Sequence, residues 1–144
     1  MRMKMFSLLP VILLAYGVSS ETTFHANGTI TCRFFTKTWC YNVQYWEKDV
    51  SIGFNTDDLI AEAGFCVSGP STTYSIKGTQ DDDGIVNDFY ETQLEITHNC
   101  TWPGELRRFL RKLDRTRVTE KDMYITSKWD ATHLGEKVSE WKRE

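Results

Sequence analysis

Leu94-Glu95-Ile96-Thr97-His98 alternates side chains that shun water with side chains that seek it, the period of two that sends one set to each face of a half-buried strand. Working outward, the same alternation recurs upstream, with Tyr41, Val43 and Tyr45 set between Asn42 and Gln44, and Ile30, Cys32 and Phe34 set between Thr31 and Arg33. Ala63 to Ser68 reads as another strand closed by Gly69-Pro70, with Thr72 to Ile76 expected to pair beside it, and Met123-Tyr124-Ile125 as a further strand. Each such strand has one apolar face, and only a second sheet can bury it. The chain is therefore expected to be all-β, an antiparallel β-sandwich of two packed sheets.

Two segments interrupt that pattern. Lys77 to Asp88 holds two glycines and four aspartates without apolar periodicity, so an exposed loop is expected there. Leu106, Phe109, Leu110 and Leu113 fall at i, i+3, i+4 and i+7 after Pro103-Gly104-Glu105, which predicts one short helix. Its opposite face would carry Arg107, Arg108, Arg111 and Lys112, followed by Arg115 and Arg117, as a candidate binding patch.

The N-terminal residues point to export. Arg2 and Lys4 precede an apolar run from Phe6 to Tyr16, broken only by Ser7 and Pro10, with Val18 and Ser20 placed to suit a signal peptidase. This predicts a signal peptide over residues 1–20 and one secreted, extracellular domain over residues 21–144. The run is about half the roughly 20 apolar residues that a spanning helix needs, so no membrane span is expected. Loss of Arg2 and Lys4 takes the formal charge from −3 to −5, the wrong sign for a nucleic-acid partner.

Cys32, Cys40, Cys66 and Cys100 all lie in the expected mature part, and an even number on an oxidising route favours two disulfides and a disulfide-stapled glycoprotein. Sequence leaves the connectivity open, with Cys32–Cys100 and Cys40–Cys66 preferred. No C-x-x-C occurs and His25, His98 and His133 stand at no ligand spacing from one another, so neither a metal nor another cofactor is expected. Asn27-Gly28-Thr29 and Asn99-Cys100-Thr101 are acceptor sequons. Gly28 suggests a turn at an exposed edge, which makes Asn27 the better acceptor.

Several local patterns, taken in order, resemble the nematode transthyretin-like family of secreted proteins. They are Gly28-Thr29-Ile30-Thr31-Cys32, Val43 to Asp49 with Trp46-Glu47-Lys48-Asp49, Asp57-Asp58-Leu59-Ile60-Ala61-Glu62, Gly64-Phe65 with Ser68-Gly69, Leu94 to Cys100 as L-x-I-x-H-x-C, and finally Tyr124-Ile125 and Leu134-Gly135. The resemblance implies a transthyretin-like, immunoglobulin-like antiparallel β-sandwich of seven or eight strands and an extracellular role in recognition or signalling. The acidic loop and the basic segment depart from the family pattern.

No constellation of catalytic residues stands out. His98 lacks a recognisable acid or base partner in sequence, and a structural role is expected for it. The Asp81-Asp82-Asp83-Gly84 run fails calcium-loop spacing, since Thr79 and Tyr90 would fall at its first and last ligand positions. The expected function is a secreted binding or signalling module and not an enzyme, its partner an unknown extracellular protein or lipid ligand. The alternative is an anionic lipid or glycan binder acting through Arg107 to Arg117. Behind both stands a small hydrolase of the transthyretin-related 5-hydroxyisourate type, whose closing Y-R-G-S motif is replaced here by Trp141-Lys142-Arg143-Glu144.

Overall fold

The computed structural model describes residues 21–34, 38–48, 57–81 and 89–142. The signal peptide expected over residues 1–20, and residues 82–88 of the expected acidic loop, lie outside them. Strand β1 (Thr22–Thr31) is the middle of a three-stranded sheet, paired antiparallel to β4 (Ser71–Gln80) and parallel to β9 (Asp122–Asp130). The facing five-stranded sheet has the order β10 (Glu136–Lys137), β7 (Arg107–Lys112), β6 (Thr92–His98), β2 (Thr38–Glu47), β3 (Asp58–Ser68), antiparallel throughout. A small ladder joins β5 (Phe89–Tyr90) to β8 (Thr116–Arg117).

Period-two alternation fills the space between the sheets. Phe24, Ala26 and Ile30 of β1, Tyr74 and Ile76 of β4, and Trp129 of β9 meet Tyr41, Val43 and Tyr45 of β2 and Leu94 and Ile96 of β6. The Phe24 ring packs edge-on against both Tyr45 and Tyr90, at 5.5 and 5.2 Å between centroids. Aromatic pairs in that geometry stabilise by about 0.5–1.5 kcal/mol beyond burial alone. Burial also holds the Tyr45 hydroxyl in its neutral form, with a pKa raised to about 12.

The structure corrects several expectations. Arg107–Lys112 is a strand and not a helix. Gly104 takes a left-handed φ of 81° in the turn that Gly104 N–H closes on the Thr101 carbonyl, and the chain leaves that turn to pair with the otherwise open edge of β6. Backbone pairing over the length of a strand outweighs a helical apolar spacing too short to sustain a helix alone. Second, Thr72–Ile76 belongs to β4 and pairs with β1 in the opposite sheet, not beside Ala63–Ser68. The Gly69-Pro70 break lets β3 and β4 meet at the corner where the sheets join. Third, Lys77–Gln80 is strand, because the pairing with β1 continues through it to Thr22↔Gln80. Fourth, the sandwich is not purely antiparallel, since β9 returns to β1 in parallel.

Gly28 also differs from expectation. It lies inside β1 and makes no turn. A Cβ there would stand 2.5 Å from the Tyr74 ring and 2.4 Å from the Ser127 carbonyl, so the position is glycine because Tyr74 packs over bare backbone. Trp129 Nε1–H then donates to the Tyr74 hydroxyl at 3.3 Å, tying β9 to β4 across β1.

Candidate functional site

Two disulfides join Cys32 to Cys100 and Cys40 to Cys66, the preferred pairing. Cys32 follows β1 and Cys100 follows β6, so their bond links the two sheets and is buried in the core, each residue 1% exposed. Cys40 and Cys66 are opposed residues of β2 and β3 within one sheet, on its outer face. Cys66 is exposed and Cys40 half-buried.

His98 is fully buried, and both ring nitrogens are used. Nδ1 accepts the Cys100 N–H at 3.2 Å, while Nε2 lies 3.0 Å from the Leu134 carbonyl and must donate to it. The ring is thereby held as the neutral Nε2–H tautomer, because a proton on Nδ1 would meet the Cys100 N–H head-on. Burial, with Arg107 and His133 adding positive charge nearby, lowers its pKa to about 4. The histidine acts as a fastener: it grips Leu134, just after His133 (φ 55°) and just before Gly135 (φ 87°), in the reversal that delivers the chain to β10. A Cβ on Gly135 would stand 2.3 Å from the Arg108 carbonyl, so this reversal requires glycine twice over.

From β10 the C-terminal segment crosses the outer face of the five-stranded sheet as a strap. Arg108 Nη2–H donates to the Glu140 carbonyl at 2.9 Å, and at the far edge Lys142 pairs with Glu62 of β3. Between the strap and the β2–β3 pair lies an open groove of about 660 Å³, lined by Cys40, Cys66, Phe65, Gly64 and Trp141. Trp141 is 41% exposed there, whereas Phe65, opposite Tyr41 in register, lends the groove its backbone and turns its ring to the inner face. Sequence reasoning missed this groove, because Trp141 reaches the β2–β3 pair from more than seventy positions away.

The basic residues are not gathered on one face. The period of two sends Arg107 and Arg111 to the inner side of β7 and Arg108 and Lys112 to the outer side, in register with the core and outer residues of β6 respectively. Arg111 stacks 5.7 Å over Trp129 and donates to the Ser127 hydroxyl, closing the open side of the sandwich. Arg107 donates to the Gly135 carbonyl at 2.9 Å. Arg108 lies 3.0 Å from both Glu95 and the Thr97 hydroxyl beneath the strap. Arg115 pairs with Glu91, and Arg117 covers the Phe89 ring. Lys112 is exposed.

Asn27 points outward from the middle of β1, exposed on a face with Ser75 and Thr126 as lateral neighbours. Asn99 is half-buried, its Oδ1 accepting the Cys40 N–H at 2.7 Å, and Thr101 of the same sequon donates its hydroxyl to the Glu105 carbonyl. Among the described residues, no group of three or more His, Cys, Asp or Glu could hold a metal ion. Among them also, no helix is long and apolar enough to cross a membrane.

Fold and site together define a small all-β domain, two facing sheets linked by one disulfide, with a second disulfide between β2 and β3 of one sheet. The chain belongs to the family described as Caenorhabditis elegans protein of unknown function (DUF870), whose model matches residues 27–140. It is 34% identical over 89 residues to the uncharacterized protein B0416.7 of Caenorhabditis elegans, a match covering 61% of this chain and 64% of that relative, just under two thirds of its length. Among solved structures it aligns with an alternative pilotin from the type II secretion system of Vibrio cholerae, with a TM-score of 0.38 and 13% identity over 76% of this chain and 96% of that one. This finding overturns the resemblance to the nematode transthyretin-like family: the family model that matches is a different one. The motifs that carried the resemblance are short strand patterns, which unrelated sandwiches share because the same burial rules shape them.

Proposed function

We propose that this chain is exported and acts outside the cell as a binding module, its ligand seated in the groove between β3 and the C-terminal strap. The observation that carries this reading is the groove itself, where Trp141 exposes aromatic surface beside the Cys40–Cys66 bridge and a rim charged by Glu62 and Lys142. An exposed aromatic in a concavity with a few polar groups suits a small ligand with an apolar face. Export is supported by the pairing of Cys32, Cys40, Cys66 and Cys100 in disulfides, which persist in oxidising compartments. Catalysis is given no part, since His98, the histidine that sequence singles out, is spent on holding the strap.

Two measurements test the two halves separately. Full-length chain expressed in eukaryotic cells is expected in the medium, with an intact mass starting near Glu21; retention inside the cell with residues 1–20 attached would overturn export. The purified protein is expected to bind the fluorescent probe anilinonaphthalene sulfonate saturably, and Trp141→Ala should weaken that binding by about tenfold or more at unchanged far-ultraviolet circular dichroism. Undiminished binding in the variant would remove the groove from consideration.

A further inference from the structure

We propose that the Cys40–Cys66 bridge is a thiol–disulfide exchange site, opened by a small thiol entering the groove, while Cys32–Cys100 remains a fixed staple. The proposal rests on the exposure and placement of the two bridges. It requires neither export nor a second ligand, so its failure and theirs are distinguishable.

The two bridges differ in surroundings. Exchange requires a thiolate to reach a disulfide sulfur, so access governs which bridge reacts, and exposed bridges are the labile ones. Cys32 and Cys100 are each 1% exposed within the core. Cys66 is exposed on the edge strand β3, its partner Cys40 half-buried, and both line the groove beside Trp141. At about 660 Å³ the groove has room for a thiol the size of a tripeptide.

The fold also has little need of this bridge. Cys40 and Cys66 are one of ten registered pairs that run from Thr38↔Ser68 to Glu47↔Asp58. Opening the sulfur–sulfur bond leaves those neighbours in place, so β2 and β3 stay joined by their backbone ladder. The Cys32–Cys100 bond, by contrast, joins chain ends that leave two different sheets.

The chemistry balances with a monothiol as reductant. Its thiolate attacks Sγ of Cys66, the more exposed residue of the pair; a new sulfur–sulfur bond forms as the bond to Cys40 breaks, and Cys40 leaves as a thiolate that takes a proton from water. A second thiol then attacks the mixed disulfide, departs with the first as the oxidised disulfide, and leaves Cys66 as a thiol. Two thiols are oxidised and one protein disulfide is reduced, and the reverse sequence closes the bridge.

The test is limited exposure of the oxidised full chain to glutathione, followed by alkylation of free thiols and peptide mapping by mass. Cys40 and Cys66 are expected to become reactive at least about tenfold faster than Cys32 and Cys100, with the glutathione adduct on Cys66. Equal rates, or earlier reaction of Cys32 and Cys100, would overturn the proposal, as would an adduct confined to Cys40. The Cys40→Ser, Cys66→Ser double variant is expected to keep the wild-type far-ultraviolet spectrum and to lose the fast phase. A fast phase that persists there, or a variant that does not fold, counts against the proposal equally.

Discussion

At the scale of the residue, His98 connects pH to structure. Its pKa falls from 6.5 unfolded to about 4 folded, chiefly through burial, so the unfolded chain binds its proton first as acid is added. The sign follows: the stability tied to neutral His98 is fully present above about pH 6.5 and is lost as pH falls toward about 4, at most about 3 kcal/mol. Glu105, through Lys137, and Asp130, through Thr132, also have lowered pKa values, but they lose their contributions further down, in the carboxylate range. A decline in urea midpoint already under way near pH 6, and absent from His98→Gln, is therefore expected; a midpoint unchanged between about pH 7 and 5 would contradict the fastening role.

At the scale of the element, β7 shows what pairing did to a segment that reads as a helix. On a helix Arg107, Arg108, Arg111 and Lys112 would share one solvent face; on a strand they divide, and Arg108 slides under the strap against Glu95, which is 1% exposed. Removing one partner of such a buried pair leaves an uncompensated charge and costs about 3–5 kcal/mol. Arg108→Gln is accordingly expected to destabilise by that amount, whereas Lys112→Gln at an exposed site should stay within about 0.5 kcal/mol. Denaturant titration of the two variants checks this, and equal behaviour would mean that the Arg108–Glu95 contact does not hold the element.

At the scale of the whole molecule, the sheets are held by the aromatic core, by the β3–β4 corner, by Arg111 reaching Ser127 and by the Cys32–Cys100 bond. That bond spans 68 residues, and a native bridge of this kind in a small domain typically contributes about 2–5 kcal/mol by restricting the unfolded chain. Cys32→Ala with Cys100→Ala should lower thermal stability by an amount of that order in scanning calorimetry, and an unchanged transition would show that the core suffices without it.

The sequence by itself determined the all-β class, the alternating core of β2 and β6 and a strand at Met123–Ile125, because burial on one face of a strand leaves a local period that any window of residues displays. It also made paired cysteines the expectation and favoured the pairing found, without deciding it. Only the tertiary structure decided that Arg107–Lys112 is a strand, since its apolar spacing is that of a helix, with Phe109 and Leu110 adjacent, and the open edge of β6 overrides it. The same holds for Gly28, whose neighbour Tyr74 lies on another strand, and for the groove, where β3 and the strap meet across most of the chain. Contacts between distant residues leave no mark on local periodicity, because what selects each residue is a neighbour that the chain supplies only after it has folded.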